Sequence, residues 1–196
     1  MIKRIIIAIV DTVRQQISLY LFMLKVLSRG GVCGKGLHLS HPECVEFEKL
    51  KIKSGFRIDC YLEYAGVKLP PPVLKIFNNV IIGYGFTALV AEKIAIGSNT
   101  ILASNVSLVS ENHGISVETD IPFFAQQLQT GPITIGEGCW IGQNVIVLPD
   151  VNIGDKCVIG ANSVVTKDIP SYSIAVGMPA KVIKKYNFEL HRWVKV

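Results

Sequence analysis

Branched aliphatic residues stand at Ile135, Ile141, Val147, Ile153, Ile159 and Val165, six apart without a slip. Glycine follows four of them, as Gly136, Gly142, Gly154 and Gly160, and a small or β-branched side chain comes four residues after each: Cys139, Val145, Val151, Cys157, Ser163 and Ile169. Helices repeat every 3.6 residues and strands every 2, so neither carries this beat. Self-similarity at so short a fixed length belongs to stacked, solenoid-like chains, and hexapeptides specify a parallel β-helix. Each hexapeptide is a short strand plus a corner, and three close a triangular coil of about 18 residues. Ile135 then falls in register with Ile153, Ile141 with Ile159 and Val147 with Val165, and these ladders fill a narrow interior.

Upstream the beat returns in a second register at Ile96, Leu102 and Leu108, with earlier rungs at Ile82, Ile58 and Ile52. The 27 residues from Leu108 to Ile135 are not a multiple of six. The polar, proline-punctuated stretch over 111–132 therefore reads as a loop leaving the coil, and Lys68-Leu69-Pro70-Pro71-Pro72 as a shorter interruption. The expected organisation is an N-terminal apolar and basic helical segment over 1–31, an all-β parallel β-helix over 32–170, and a helical cap over 171–196.

An apolar fraction of 49% in 196 residues supplies core for one soluble-sized domain. The net charge of +5 is mild. No basic-aromatic stripe or nucleic-acid motif accompanies it, so no nucleic-acid partner is expected. Five cysteines without paired spacing read as small buried hydrophobes in a reducing compartment. Cys33, His38, His41 and Cys44 match no zinc module, and no metal site is expected.

The first segment is apolar over residues 5–10 and 19–24, with Lys3, Arg4, Arg14, Lys25 and Arg29 around those bursts. Asp11, Arg14, Gln15 and Gln16 interrupt any spanning run, and no small-residue cleavage site follows. The segment reads as one or two helices that pack on the coil or a neighbouring subunit, or lie on the inner face of a membrane.

Of four histidines, only His113 opens the large loop, in Glu111-Asn112-His113-Gly114. Around it stand the motifs Trp140-Ile141-Gly142-Gln143-Asn144-Val145, Val158-Ile159-Gly160-Ala161-Asn162-Ser163 with Val164-Val165-Thr166-Lys167-Asp168-Ile169-Pro170, and Gly177-Met178-Pro179-Ala180-Lys181. Together they resemble the hexapeptide-repeat acyltransferases, in particular the bacterial sugar and polysaccharide O-acetyltransferases of the galactoside and O-antigen type. The resemblance is strong from about Ile96 to Lys184, weaker over 45–95 and absent at the N-terminus.

That resemblance implies a left-handed winding, a homotrimer, acetyl-CoA as acyl donor and a sugar or glycan acceptor in the cytoplasm. It implies His113 as general base, in an Asn112-His113-Gly114 motif. An imidazole titrates near neutrality, which suits deprotonation of an attacking hydroxyl. Glu111, Glu118 or a backbone carbonyl would orient the other ring nitrogen. The backbone N–H of Gln143 would hold the oxyanion. Trp140, Gly142, Gly160 and Ala161 would line the pantetheine arm, and Thr166, Lys167, Lys181 and Lys184 would meet the phosphates. Relatives of the galactoside type carry an asparagine where this chain reaches Leu89, so acceptor recognition is expected to differ from theirs.

Three other activities would leave different marks. An amino-sugar nucleotide or serine acceptor keeps the fold and changes the nucleophile. A zinc hydratase needs three histidines converging on the coil, and only His113 opens the loop that leaves it. A non-catalytic scaffold would show no acetyl-CoA turnover. Loop residues Phe123, Phe124, Gln126 and Gln127 are expected to shape the acceptor pocket.

Overall fold

A computed structural model describes residues 2–196, with side chains described from Val10 onward except that of Asp11. The side chains of the first apolar burst up to residue 9, and those of Lys3 and Arg4, lie outside the described ones.

The chain forms helix α1, Ile2–Ser28, and then winds through three parallel sheets. Face A stacks Val32–Cys33, Leu50–Ile52, Val80–Ile82, Ile101–Leu102, Trp140–Ile141, Val158–Ile159 and Ser173–Gly177. Face B stacks His38–Leu39, Arg57–Cys60, Thr87–Val90, Ser107–Val109, Ile146–Val147 and Val164–Val165. Face C stacks Val45–Phe47, Leu74–Ile76, Ile94–Ile96, Ile133–Ile135 and Val151–Ile153, and Ile169 extends it by a bridge to Ile153. The expected registers hold: Ile135 pairs with Ile153, Ile141 with Ile159 and Val147 with Val165. Inward ladders such as Ile52–Ile82–Leu102–Ile141–Ile159–Ala175 are buried throughout.

Upstream the repeat lengthens. Ile82 pairs with Leu102 and Ala88 with Leu108, steps of 20. The added residues fall at the corner between faces B and C, where Val90 and Ile94 end and begin successive strands. The same corner releases both large excursions. The first carries the hairpin Glu63–Tyr64 with Val67–Lys68, turned by Ala65 and Gly66 at φ 50° and 75°. That hairpin precedes the proline run that the repeat marked as the interruption.

Outer corners carry asparagines in the left-handed region, which Asn tolerates better than most residues. Asn105, Asn144 and Asn162 each have φ 58°, and their amides form a ladder of 3.0 and 2.9 Å hydrogen bonds. Cys44, Cys60, Cys139 and Cys157 are buried and Cys33 is half-buried, all as free thiols.

Helix α1 closes the open first coil. Gly30 adopts φ 68° just past the helix, and the amides of Gly30 and Gly31 return to the carbonyls of Leu27 and Val26. Phe22 and Val26 are buried against the coil. The Phe22 ring stacks on Phe56 at 6.2 Å, and Phe56 stacks on Phe86 at 6.2 Å. A helix residue thus supplies the end rung of an interior aromatic column.

The C-terminus departs from expectation. No helix forms there: Ala180–Asn187 and Arg192–Lys195 are strands that add antiparallel to Ser173–Gly177. Exposure alternates residue by residue from Ala180 to Tyr186, the period of a strand. Tyr186 meets Phe188 and Trp193 edge-on, at 5.1 and 5.4 Å between ring centroids. β-Branched Val182 and Ile183 with these aromatics outweigh the helix propensity of the three lysines.

Candidate active site

The loop that carries His113 is a built structure. Ser110, fully buried, follows the face-B strand Ser107–Val109; its hydroxyl accepts from the amides of Ala91 and Glu92 at 2.9 and 3.1 Å. Glu111–Asn112 then pairs antiparallel with Gln129–Thr130, and the Gly131 amide closes the loop onto the Ser110 carbonyl. Inside it, the Gln126 amide donates to the carbonyls of Ser116 and Ile121 and accepts from the Ser116 N–H, all at 2.9 Å. Gln126 therefore holds the loop together from within, rather than shaping an acceptor pocket as its sequence position suggested. Glycine must follow His113: a Cβ on Gly114 would stand 2.7 Å from Cβ of Gln126.

His113 is exposed at the head of this loop. The group at its Nδ1 is neither Glu111 nor Glu118 nor a carbonyl. It is the hydroxyl of Tyr64, 3.2 Å away, reaching up from the hairpin two coils earlier. Tyr64 also donates to the Phe124 carbonyl. The sequence offered only one signal for it, a polar-aromatic pair before an Ala-Gly turn inside an excursion from the same corner.

His113 lines two cavities. One, of about 710 Å³, is walled by Val117, Ile121, Pro122, Phe123 and Phe124, with Ser116, Thr119 and Asp120 at its polar positions. The other, of about 210 Å³, is formed with Tyr61, Tyr64, Glu111 and Leu128. Burial holds the Glu111 carboxyl above the usual carboxylate range, against the opposing pull of His113. Asn112 is exposed on its strand beside Gln129.

An acid whose pKa is raised by folding binds its proton more tightly folded than unfolded, so its ionisation costs stability above that range. Glu111→Gln is thus expected to match the parent's Tm at acid pH and to exceed it increasingly as pH rises through the carboxylate range. Thermal melts across pH 3 to 8 check this; a pH-independent difference contradicts it.

The remaining predicted residues stand elsewhere on the prism. Trp140 is 57% exposed on face A, and Gln143 and Ala161 are exposed where that face turns into face B. Gly142 and Gly160 lie beside them; a Cβ on Gly142 would sit 2.6 Å from the Ala161 amide nitrogen. Thr166, Lys167 and Lys181 are exposed and Lys184 is half-buried. No residue of this second group lines either His113 cavity. The single chain therefore holds the imidazole on one side of face B and the tryptophan-glycine edge on the other. His38 and His41 are engaged separately, with Asp59 and Glu43, each at 2.9 Å.

A family profile described as bacterial transferase hexapeptide (six repeats) matches residues 132–167. The chain is 42% identical over 110 residues to a putative lipopolysaccharide biosynthesis O-acetyl transferase, WbbJ, of Escherichia coli K12, covering 53% of this chain and 56% of that protein. It is 38% identical over 154 residues to the galactoside O-acetyltransferase of the same organism, covering 76% of this chain and 73% of the relative. Among solved structures, a maltose O-acetyltransferase from Clostridium difficile 630 superposes with a TM-score of 0.60 at 34% identity, over 73% of this chain and 71% of that one. The chain thus spans little more than half of the first of these relatives and about three-quarters of the second.

Proposed function

This chain belongs to the hexapeptide-repeat acyltransferases, and from that premise we propose that it moves an acetyl group from acetyl-CoA to a hydroxyl of a sugar or polysaccharide precursor. The observation that carries the reading is the exposed His113 ring, set on an internally hydrogen-bonded loop with one nitrogen occupied and a cavity beside it. The left-handed winding and the homotrimer belong to the same reading. A neighbouring copy would bring its Trp140, Gly142, Gln143, Gly160 and Ala161 edge to the His113 of the first.

The residues divide the work as follows. Nε2 of His113 takes the proton of the acceptor hydroxyl while that oxygen attacks the thioester carbonyl carbon. The carbonyl oxygen gathers negative charge, met by the N–H of Gln143. Collapse breaks the carbon–sulfur bond, and the departing thiolate receives the proton that His113 holds. Trp140, exposed and flat, suits the apolar pantetheine arm, and Gly142 with Gly160 keeps that edge low. Thr166, Lys167, Lys181 and Lys184 supply a hydroxyl and three cations for phosphates. Lysines act there as point charges without arginine's fork.

Release of coenzyme A thiol with a panel of sugars, glycans and nucleotide sugars tests the proposal. Acetyl esters on a sugar hydroxyl support it; acetylation only of an amino sugar or of serine overturns the acceptor assignment.

Helix α1 has a second face. Val13, Ile17, Tyr20, Leu21, Leu24 and Leu27 are exposed, on the side away from docked Phe22 and Val26, with Arg14 and Lys25 in the same helix. Among the described residues no helix is long and apolar enough to cross a membrane. The apolar stripe with flanking cations fits a helix lying on an anionic bilayer, where each basic residue adds about 1 kcal/mol. The chain is expected to sediment with phosphatidylglycerol vesicles and not with phosphatidylcholine vesicles, and Ile17→Glu/Leu24→Glu to abolish this. Equal sedimentation of parent and variant contradicts it.

A further inference from the structure

The phenol of Tyr64 carries one proton, and the geometry gives that proton a fixed destination. Its hydroxyl donates to the Phe124 carbonyl, which can only accept. The same oxygen stands 3.2 Å from Nδ1 of His113. With its proton committed, the phenol meets Nδ1 as an acceptor. Nδ1 then bears the ring hydrogen, and Nε2 keeps its lone pair.

We propose that Tyr64 is a positioning residue that selects the Nδ1–H form of His113 and fixes the ring, leaving Nε2 as the proton acceptor. This rests on the reading of His113 as general base. A neutral imidazole free in water prefers the other tautomer, with hydrogen on Nε2, and would present its lone pair on the wrong side. Tyr64 counters that preference from a separate excursion, 49 residues earlier in the chain. Its ring lies 5.4 Å from the imidazole at an interplanar angle of 56°, so packing and hydrogen bond act on the same orientation. The bond to Phe124 ties the wall of the larger cavity to the same phenol. The hairpin thus serves the site by holding one oxygen between the catalytic ring and the loop.

The test combines spectroscopy and kinetics on the full chain. In protein labelled with ¹⁵N-histidine, at a pH where imidazoles are neutral, the four histidines give separable nitrogen pairs, and His113→Gln identifies the pair of interest. The expected pattern is hydrogen on Nδ1 in the parent and a shift towards Nε2–H in Tyr64→Phe, which keeps the packed ring and loses only the oxygen. For acetyl transfer, Tyr64→Phe is expected to lower kcat about 10-fold, the value of one lost hydrogen bond, with the KM for acetyl-CoA little changed. A parent with hydrogen on Nε2, an unchanged tautomer in Tyr64→Phe, or a loss confined to KM overturns the proposal. The nitrogen pattern needs no turnover. A failure of the general-base reading would instead show as undiminished transfer by His113→Ala, whatever the tautomer.

Discussion

Replacing His113 with alanine is expected to lower kcat for acetyl transfer by about 10²–10⁴-fold, the usual contribution of a positioned general base. The loop should survive the change. Its integrity comes from Ser110, the Glu111–Asn112 pairing and the buried Gln126 amide, none of which uses the imidazole. The ring is exposed, so its removal opens no interior cavity. Tm and the KM for acetyl-CoA should therefore stay close to parental values while turnover collapses. The measurement is coenzyme A thiol release with the best acceptor found in the panel, beside a thermal melt. Parental turnover contradicts the base assignment, and a large fall in Tm would make the loss structural.

The largest expected effect on stability lies in the aromatic column. Phe56 is buried and stacks between Phe22 of the helix and Phe86 of the next coil. Phe56→Ala is expected to cost about 3–5 kcal/mol, because burial is lost and the interior of the coil cannot close on the gap. The substitution also removes the surface on which Phe22 rests, so the C-terminal turns of helix α1 should lose hydrogen-exchange protection before the later coils do. Denaturant unfolding checks the cost, and amide hydrogen exchange read along helix α1 and the later coils checks the order. A cost below about 1 kcal/mol would mean that the column contributes no more than an ordinary surface site.

The legibility of this chain follows how its packing is encoded. From Ile135 onward each inward residue is spaced by the coil that holds it, so periodicity reads out register directly. Upstream the same logic applies, but the corner between faces B and C absorbs two extra residues, then a hairpin, then the His113 loop, and spacing alone loses the phase. His113 was legible because it opens the largest of these interruptions. Tyr64 was not, since its contact joins two excursions across 49 residues and no periodicity links them. The tail reads as helical from sequence because lysines at 181, 184 and 185 mask an alternation that only pairing with Ser173–Gly177 makes decisive. Gln126 looked like a pocket residue on a polar loop, and its inward turn depends on carbonyls that the sequence does not orient.

The division of the predicted site between two sides of face B gives the family reading its sharpest consequence. An experimental structure of the assembled protein with coenzyme A tests it most directly. The sulfur is expected in a cleft between two copies, along the Trp140 and Ala161 edge of one. Nε2 of the other copy's His113 should stand within about 3–3.5 Å of the position an attacking hydroxyl would take. Coenzyme A bound along a single chain far from any His113, or an imidazole turned away from the sulfur, would contradict it.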